Sequence, residues 1–310
     1  MALPSFLRPL PAGLNESYPC LNAVLPHPNL GGDAHALWWP PRSGKEPSTV
    51  LFFVPGNPGL IEFYLDFLTD IQTKSGLDSL AVLAHAHLGH TPNLPFTRCD
   101  FAVQVDNAVE AFDALSAAYP NAKIISLSHS MGSWISVELL KQRADKLAGI
   151  ILLTPTIRHI VDTPNGRRLS WLFYPFPRTV VTQLAHVGHL LPDALLRLTN
   201  PSFPAHQLAV IRRLIASPSA VHACLVTSHD EMKMIKDLDE TILNDNADIL
   251  RMFFADVDGW VGKHREEIIG AVKVMSPESI HLAEDVPHAF CINHNAPTAD
   301  QCVKWLHELL

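Results

Sequence analysis

Short apolar runs alternate with helix-like stretches along the first half of the chain. Four of the runs are rich in large or β-branched apolar side chains, as strands buried on both faces of a sheet are. They span residues 49–54, 79–84, 123–127 and 149–153. A shorter run at 36–39 is an earlier candidate strand, and residues 60–71 and 101–119 place apolar side chains at helical spacing. The alternation predicts an α/β fold with a mostly parallel, doubly wound sheet.

This alternation stops after residue 154. Residues 155–246 are helix-like and apolar, with proline punctuation and no convincing strand, so we expect a helical insertion that caps the sheet. Strand-like runs then return, followed by a last helix that is predicted to start after Pro297. These three stretches are 249–254, 279–282 and 298–310. The sequence therefore predicts a single domain over 1–310, with its core at 30–154 and 247–310.

A serine stands at the junction between the third buried run and the helix-like stretch after it. The junction reads Ser128-His129-Ser130-Met131-Gly132. A strand, a tight turn and a helix with a serine at the tip form the context of a nucleophile elbow, in which the turn lifts the hydroxyl above the sheet edge. The usual pattern is G-x-S-x-G, and here Ser128 stands at the first glycine position. Ser130 is the candidate nucleophile.

A serine hydroxyl needs a base to take its proton and an acid to orient that base. In one common arrangement these follow the serine along the chain, acid first and histidine last. Asp258 comes after the strand-like run 249–254, and His288 comes after the final one. They are the candidate acid and base. Asp256 lies nearer to the strand end, and both aspartates also fit as caps of a helix that starts near Gly262.

Acyl transfer also needs two N–H donors for the oxyanion. Met131 directly follows the candidate nucleophile, and the dipole of the helix that starts there favours negative charge. The second donor is expected in Pro55-Gly56-Asn57-Pro58-Gly59, after the run at 49–54. Proline has no N–H, so Asn57 is the candidate.

Three histidines in one loop have the spacing of metal ligands. His85, His87 and His90 form H-x-H-x-x-H, which is close to the H-x-H-x-D-H of metallo-hydrolases, but Gly89 stands where that motif has aspartate. No comparable second set of ligands follows downstream. A hydrogen-bonded loop beside the active cleft is the favoured interpretation, so we expect no metal and no other cofactor.

Composition and net charge limit the kinds of molecule that the protein is expected to bind. The formal net charge is −8 with histidine neutral, and no block of lysine or arginine occurs, which gives no electrostatic case for nucleic acid binding. The five cysteines are scattered and never form C-x-x-C, which indicates reduced thiols in the cytosol. No run of 18 apolar residues is present. Residues 169–198 are rich in tryptophan, phenylalanine and leucine but broken by prolines, which is typical of a cap that also contacts a lipid surface.

Several of these motifs, in this order, resemble the lipid droplet-associated hydrolase family, a branch of the α/β-hydrolase fold. The resemblance rests on residues 54–59 with Glu62-Phe63-Tyr64 and Phe67, His87-Leu88-Gly89-His90, residues 129–133, Asp258-Gly259-Trp260-Val261 and His288-Ala289-Phe290. The run Pro-Gly-Asn-Pro-Gly is the most specific of them.

The resemblance implies a serine hydrolase on cytosolic lipid droplets and the endoplasmic reticulum. The implied substrates are neutral-lipid esters such as sterol esters or triacylglycerols, reached by peripheral contact with the lipid surface. An alternative of another class is a droplet-surface protein with little turnover that binds lipid or partners. A weaker third hypothesis is a metal-dependent hydrolase.

Overall fold

The computed structural model describes residues 2–10, 18–199 and 201–310. Within these residues, nine strands form one sheet. They are β1 (Arg8–Pro9), β2 (Leu21–His27), β3 (Gly32–Trp39), β4 (Thr49–Val54), β5 (Leu80–His85), β6 (Lys123–His129), β7 (Leu147–Leu153), β8 (Leu250–Ala255) and β9 (Ile280–Ala283). Their spatial order is β1-β2-β3-β5-β4-β6-β7-β8-β9. The pairs from β5 to β9 are parallel, and β1, β2 and β3 join them antiparallel.

The sheet is covered by helices on both faces. The longer helices are α1 (Leu65–Lys74), α2 (Phe101–Ala118), α3 (Met131–Arg143), α4 (Pro164–Leu169), α5 (Pro175–Ala185), α6 (Asp193–Thr199), α7 (Ala205–Ile215), α8 (Pro218–Met234), α9 (Glu240–Asp245), α10 (His264–Ala271) and α11 (Asn295–Leu309). Single 3₁₀ turns lie at Ile61–Tyr64, Ala144–Lys146, Ile160–Asp162, Ser170–Phe173, Gly188–Leu190 and Pro277–Ser279. This is the doubly wound α/β arrangement that the alternation predicts.

The central strands have almost no exposed side chain, because helices cover both of their faces. Every residue of β4, β5 and β8 is buried. Phe52 packs with Phe112 of α2 on one face, and Phe53 packs with Phe67 of α1 on the other. Neighbouring residues of one strand thus pack into two different hydrophobic layers, one on each face of the sheet. The layers hold the carboxyl ends of β4, β6, β7 and β8 at one edge of the sheet.

Between β7 and β8 the chain leaves the sheet and forms α4 to α9. This insertion, residues 155–246, is called the cap below, and its described residues are helical or irregular, without a strand. No single described helix is long and apolar enough to cross a bilayer, whereas α7 and α8 pass such a test only as a pair bent by 91°.

Two details differ from the sequence prediction. The sheet continues upstream of residue 30 into β2 and β1, which the apolar pattern does not predict because Pro26 interrupts a short, partly polar run. The last helix begins at Asn295 and not after Pro297. Proline is tolerated there because N–H groups of the first helical turn have no partner within the helix.

Candidate active site

Ser130 lies at the tip of a sharp turn between β6 and α3. Its backbone is at φ 54° and ψ −124°, a conformation that an L-residue rarely adopts. The turn is held by close packing, since a Cβ added to Gly132 would collide with the carbonyl oxygens of Val54 and Pro55. Helix α3 therefore starts directly against the end of β4. Ser128, at the first position of the motif, is fully buried, and its hydroxyl lies 3.4 Å from the carbonyl oxygen of Ile151.

The structure brings the three predicted side chains together. The hydroxyl oxygen of Ser130 lies 2.9 Å from Nε2 of His288. Nδ1 of the same ring lies 2.8 Å from Oδ2 of Asp258. A carboxylate can only accept, so Nδ1 carries the proton and donates to Asp258, which leaves Nε2 to accept from the Ser130 hydroxyl. This is the geometry of an activated serine.

Asp258 is held ionised and in place by its own turn. Its Oδ1 accepts from the backbone N–H groups of Trp260 at 2.7 Å and Val261 at 3.0 Å. Burial alone would raise the pKa of this carboxyl, but His288 and the two N–H groups together bring the pKa below its ordinary value. Asp258 thus both caps the turn and orients the histidine. Asp256 does neither, because its carboxylate faces Arg265 at 3.5 Å.

The backbone of His288 is anchored by two side chains that the sequence analysis missed. Its carbonyl oxygen accepts from Nε2 of His129 at 2.9 Å and from the hydroxyl of Thr154 at 3.4 Å. Nδ1 of His129 in turn accepts from the hydroxyl of Tyr64 at 2.7 Å. Burial lowers the pKa of His129 to about 3, so the ring stays neutral with one fixed tautomer. The available signal was its position immediately before the nucleophile.

The two predicted oxyanion donors lie on different elements, one on the helix after the serine and one on the loop after β4. Met131 is the first residue of α3, where a backbone N–H has no intrahelical acceptor. Asn57 lies in residues 55–59, which follow β4 and are called the oxyanion loop below after the role predicted for Asn57. A Cβ on Gly56 of this loop would come within 3.0 Å of the Ser130 Cβ, so the loop lies directly against the elbow. Asn57 and Ser130 line one cavity.

Two of the three loop histidines hold the oxyanion loop. Nε2 of His87 donates to the carbonyl oxygen of Pro55 at 3.0 Å, and Nδ1 of His90 donates to that of Pro58 at 2.7 Å. Burial lowers the pKa of His90 to about 4. His85 lies in β5, with its ring 5.8 Å from that of Phe52. In the described ranges no group of histidine, cysteine and acidic side chains is arranged to hold a metal ion.

The oxyanion loop is also held from the cap. The side-chain nitrogen of Asn57 lies within hydrogen-bonding distance of three acceptors on α8. They are the carbonyl oxygen of Cys224 at 3.1 Å, the hydroxyl of Ser228 at 2.7 Å and Oε1 of Glu231 at 3.2 Å. Glu231 is only 5% exposed. Burial raises the pKa of its carboxyl to about 8. Nothing in the helical pattern of the cap singled out this glutamate.

A cavity of about 460 Å³ opens over Ser130. Apolar side chains from the core and from the cap form much of its wall, and they include Phe63, Ile160, Phe173, Phe203, Ile211, Leu214 and Leu225. Its polar lining comes from the elbow, the oxyanion loop, His288, Tyr64 and α8, which contributes Ser228 and Glu231. An apolar chamber with one activated hydroxyl suits the transfer of an acyl chain.

Comparison with known proteins matches most of the chain to one family of hydrolases. The model of a family described as lipid-droplet associated hydrolase matches residues 47–291. The human lipid droplet-associated hydrolase is 27% identical over 293 residues, which cover 84% of this chain and 85% of that protein. The Drosophila melanogaster protein of the same name is 23% identical and covers 92% of this chain and 96% of its own. Mouse monoglyceride lipase is 34% identical over 84 residues, 26% of this chain and 27% of that protein.

Solved structures show the same fold at low sequence identity. A carboxylesterase from the thaumarchaeon Nitrososphaera gargenis superposes with a TM-score of 0.65 at 14% identity and covers 92% of this chain and 98% of its own. The 2-hydroxy-6-oxo-6-phenylhexa-2,4-dienoate hydrolase from a Rhodococcus species has a TM-score of 0.66 at 13% identity, with coverages of 89% and 95%. The chain has the α/β-hydrolase fold.

Proposed function

Because the chain belongs to the lipid-droplet associated hydrolase family and is a hydrolase, we propose that it cleaves neutral-lipid esters with Ser130 as its nucleophile. The proposed substrates are sterol esters or triacylglycerols at the surface of a lipid droplet. The observation that carries the proposal is the continuous contact from Ser130 through His288 to Asp258, at 2.9 and 2.8 Å. The apolar cavity above the serine supports an acyl chain as the bound group.

The chemistry follows from the proton positions. The oxygen of Ser130 attacks the ester carbonyl carbon while Nε2 of His288 takes the hydroxyl proton, and Asp258 stabilises the resulting imidazolium. Negative charge develops on the former carbonyl oxygen, where the N–H groups of Met131 and Asn57 are proposed to donate. His288 then gives the proton to the leaving alcohol oxygen. Water repeats the sequence on the acyl-serine, which releases the fatty acid and restores the hydroxyl.

Ser130→Ala tests the nucleophile directly. We expect the variant to lose labelling by a fluorophosphonate probe and to lose ester hydrolysis by about 10³-fold or more, because the covalent step has no oxygen to perform it. Labelled residues are mapped by mass spectrometry, and thermal unfolding is compared with that of the parent.

Ser136→Ala is the matched control, since this buried hydroxyl lies on α3 and bonds to Ser126 at 3.1 Å, away from the cavity. We expect the probe to label Ser130 of this control variant to the same extent as in the parent. Full hydrolysis by Ser130→Ala would overturn the proposal. An unlabelled parent that still binds droplets would instead favour the droplet-surface protein with little turnover.

An exposed apolar region of the cap supports peripheral contact with the droplet. We call this region the cap patch; it extends along residues 171–198, from the Ser170–Phe173 turn through α5 and the Gly188–Leu190 turn to α6. Its members are Trp171, Tyr174, Phe176, Val180, Leu184, Val187, Leu190, Leu195 and Leu198. Phe176 is 80% exposed and Leu198 is 77% exposed. Large apolar side chains concentrated in one exposed segment are typical of a surface that meets lipid or protein.

The cap patch adjoins the proposed acyl cavity. Trp171 is exposed while Phe173, on the same 3₁₀ turn, is buried and lines the cavity. One short turn therefore has an apolar side chain on the outer surface and another in the chamber over Ser130. This arrangement favours a lipid surface as the partner of the cap patch, because the substrate of the proposed reaction is dissolved in that surface.

A further inference from the structure

One face of helix α8 holds the oxyanion loop at two points. The three acceptors for the Asn57 side chain come from residues 224, 228 and 231, a helical spacing that places them on one side of α8. The next residue of the loop is held as well, since the carbonyl oxygen of Pro58 accepts from the Cys224 thiol at 3.5 Å. The ring of His90 connects that same carbonyl to Thr227 at 3.0 Å. The cap therefore holds the oxyanion loop at Asn57 and Pro58, while His87 holds it from the core at Pro55.

Glu231 is the carboxylic acid of this contact, and among the described residues no cation is paired with it. The polar groups that contact its carboxyl are the Asn57 amide and the Ser228 hydroxyl. Because burial raises its pKa to about 8, the carboxyl is neutral at pH 7 and accepts from Asn57 without adding a negative charge to the cavity.

Other titratable groups around Glu231 do not change the conclusion that its carboxyl is neutral at pH 7. Those that line the cavity with Glu231 are the thiols of Cys224 and Cys291, Tyr64, His129 and His288, and His90 contacts Thr227 on the same helix. The neighbouring cap helices carry Arg178 on α5 and Arg213 on α7. Arg178 acts on Cys99, His222 and His229, and Arg213 pairs with Glu62 at 3.0 Å. Neither arginine accounts for the state of Glu231.

We propose that Glu231 is a positioning residue for ester hydrolysis. Through the side chain of Asn57 it fixes the oxyanion loop where the backbone N–H of Asn57 meets the developing oxyanion. The inference rests on the proposed function, because it needs the oxyanion loop to serve Ser130. Two consequences follow. Loss of the contact lowers kcat more than it raises KM, and ionisation of Glu231 places a negative charge beside the oxyanion, so activity falls above about pH 8.

Glu231→Gln and Glu231→Ala separate these consequences. Glutamine keeps the shape and an acceptor for Asn57 but never ionises, so we expect kcat within about 2-fold of the parent at pH 7 and no decline between pH 8 and 9. Alanine removes one of the three acceptors and leaves Asn57 with those of Cys224 and Ser228. We therefore expect a partial loss, in which kcat falls about tenfold with KM within about 2-fold, since a complete loss of an oxyanion donor costs about 10²–10³. Hydrolysis of a soluble short-chain ester is measured from pH 6 to 9.5, together with the rate of fluorophosphonate labelling.

Asp230→Asn is the control for the change from carboxyl to amide, because this neighbour on α8 is not among the residues that line the cavity and accepts instead from the backbone N–H of Phe101 at 3.4 Å. Its hydrolytic activity should decline above about pH 8 as that of the parent does. The same decline in Glu231→Gln would overturn the proposal, and this holds even if Glu231→Ala does not fold. Parental kcat in Glu231→Ala would overturn it as well. A parent that is not labelled at Ser130 overturns the proposed function itself, a result that the labelling assay reports separately.

Discussion

At the scale of single residues, the elbow requires a residue without a side chain at position 132. Any side chain there would collide with two backbone carbonyl oxygens at the end of β4, and neither can move without shifting the central strand. We expect Gly132→Ala to lower the free energy of unfolding by about 2–4 kcal/mol and to abolish most activity. Urea denaturation and fluorophosphonate labelling measure the two effects.

Gly270→Ala is the matched control on α10, where an added Cβ meets no atom within 4 Å. There the same substitution should leave stability unchanged or raise it by up to about 1 kcal/mol, since alanine favours helix over glycine. Equal stabilities for the two variants would contradict the packing argument.

Particular residues also show how much of the candidate site could be predicted from the sequence. Ser130, Asp258 and His288 could be chosen because carboxyl ends of parallel strands meet at one edge, so the order of strands along the chain predicts which loops meet. Their catalytic role stays a prediction. The contacts of His129 and Glu231 could not be predicted, because they depend on how an irregular loop and the cap pack in three dimensions. Ser128 departs from the glycine of the motif, yet its small hydroxyl is accommodated beside β7.

At the scale of elements, the strands buried on both faces are the ones that the sequence predicts well. Continuous apolar runs identify β4 to β8, whereas β2 and β1 at the edge carry short, mixed patterns with proline. The cap is predictable as a helical segment. Its helices are short and interrupted, so their order and the faces that they present follow from packing and not from periodicity.

The cap patch yields a prediction at this scale. Phe176→Asp combined with Leu190→Asp should reduce binding to phospholipid-coated triacylglycerol emulsions by about tenfold, because burying each large apolar side chain contributes about 1.5–3 kcal/mol when complete. Hydrolysis of a soluble short-chain ester should remain at the parental rate. Co-flotation with the emulsion measures binding.

The control pair is Val274→Asp with Leu282→Asp, two exposed apolar positions outside the cap. If this pair reduced binding as much as the cap variant does, general charge and not the cap patch would explain the loss.

At the scale of the whole molecule, buried neutral histidines link stability to pH. Burial lowers the pKa of His27 and His90 to about 4 and that of His85 and His129 to about 3, and it lowers the pKa of His87 as well. In the unfolded chain these groups bind protons near pH 6.5, while the folded chain does not. The contribution of these histidines to stability is therefore full above about pH 6.5 and is lost as the pH drops from 6.5 toward 4.

We expect the free energy of unfolding to be about 4 kcal/mol lower at pH 5.5 than at pH 7, measured by urea denaturation. Glu231 acts in the opposite direction, since its raised pKa weakens the fold as the pH rises from about 4.5 to 8, but it is one group against five. The slope of the free energy of unfolding against pH reports the number of protons taken up on unfolding. Replacing buried His85 by glutamine should reduce that number by about one, whereas replacing exposed His307 should not. Equal slopes in both variants would exclude the buried imidazoles as the cause.

The adjacency of Trp171 and Phe173 has a kinetic consequence under the proposed function. Moving a long acyl chain through water costs about 0.8 kcal/mol per methylene, a barrier that grows with chain length. A route along this turn from the outer surface to the chamber avoids that cost. Turnover is then governed by the mole fraction of ester within the lipid particle and not by its molarity in the suspension. Inert lipid mixed into the particle dilutes the substrate, whereas added buffer does not.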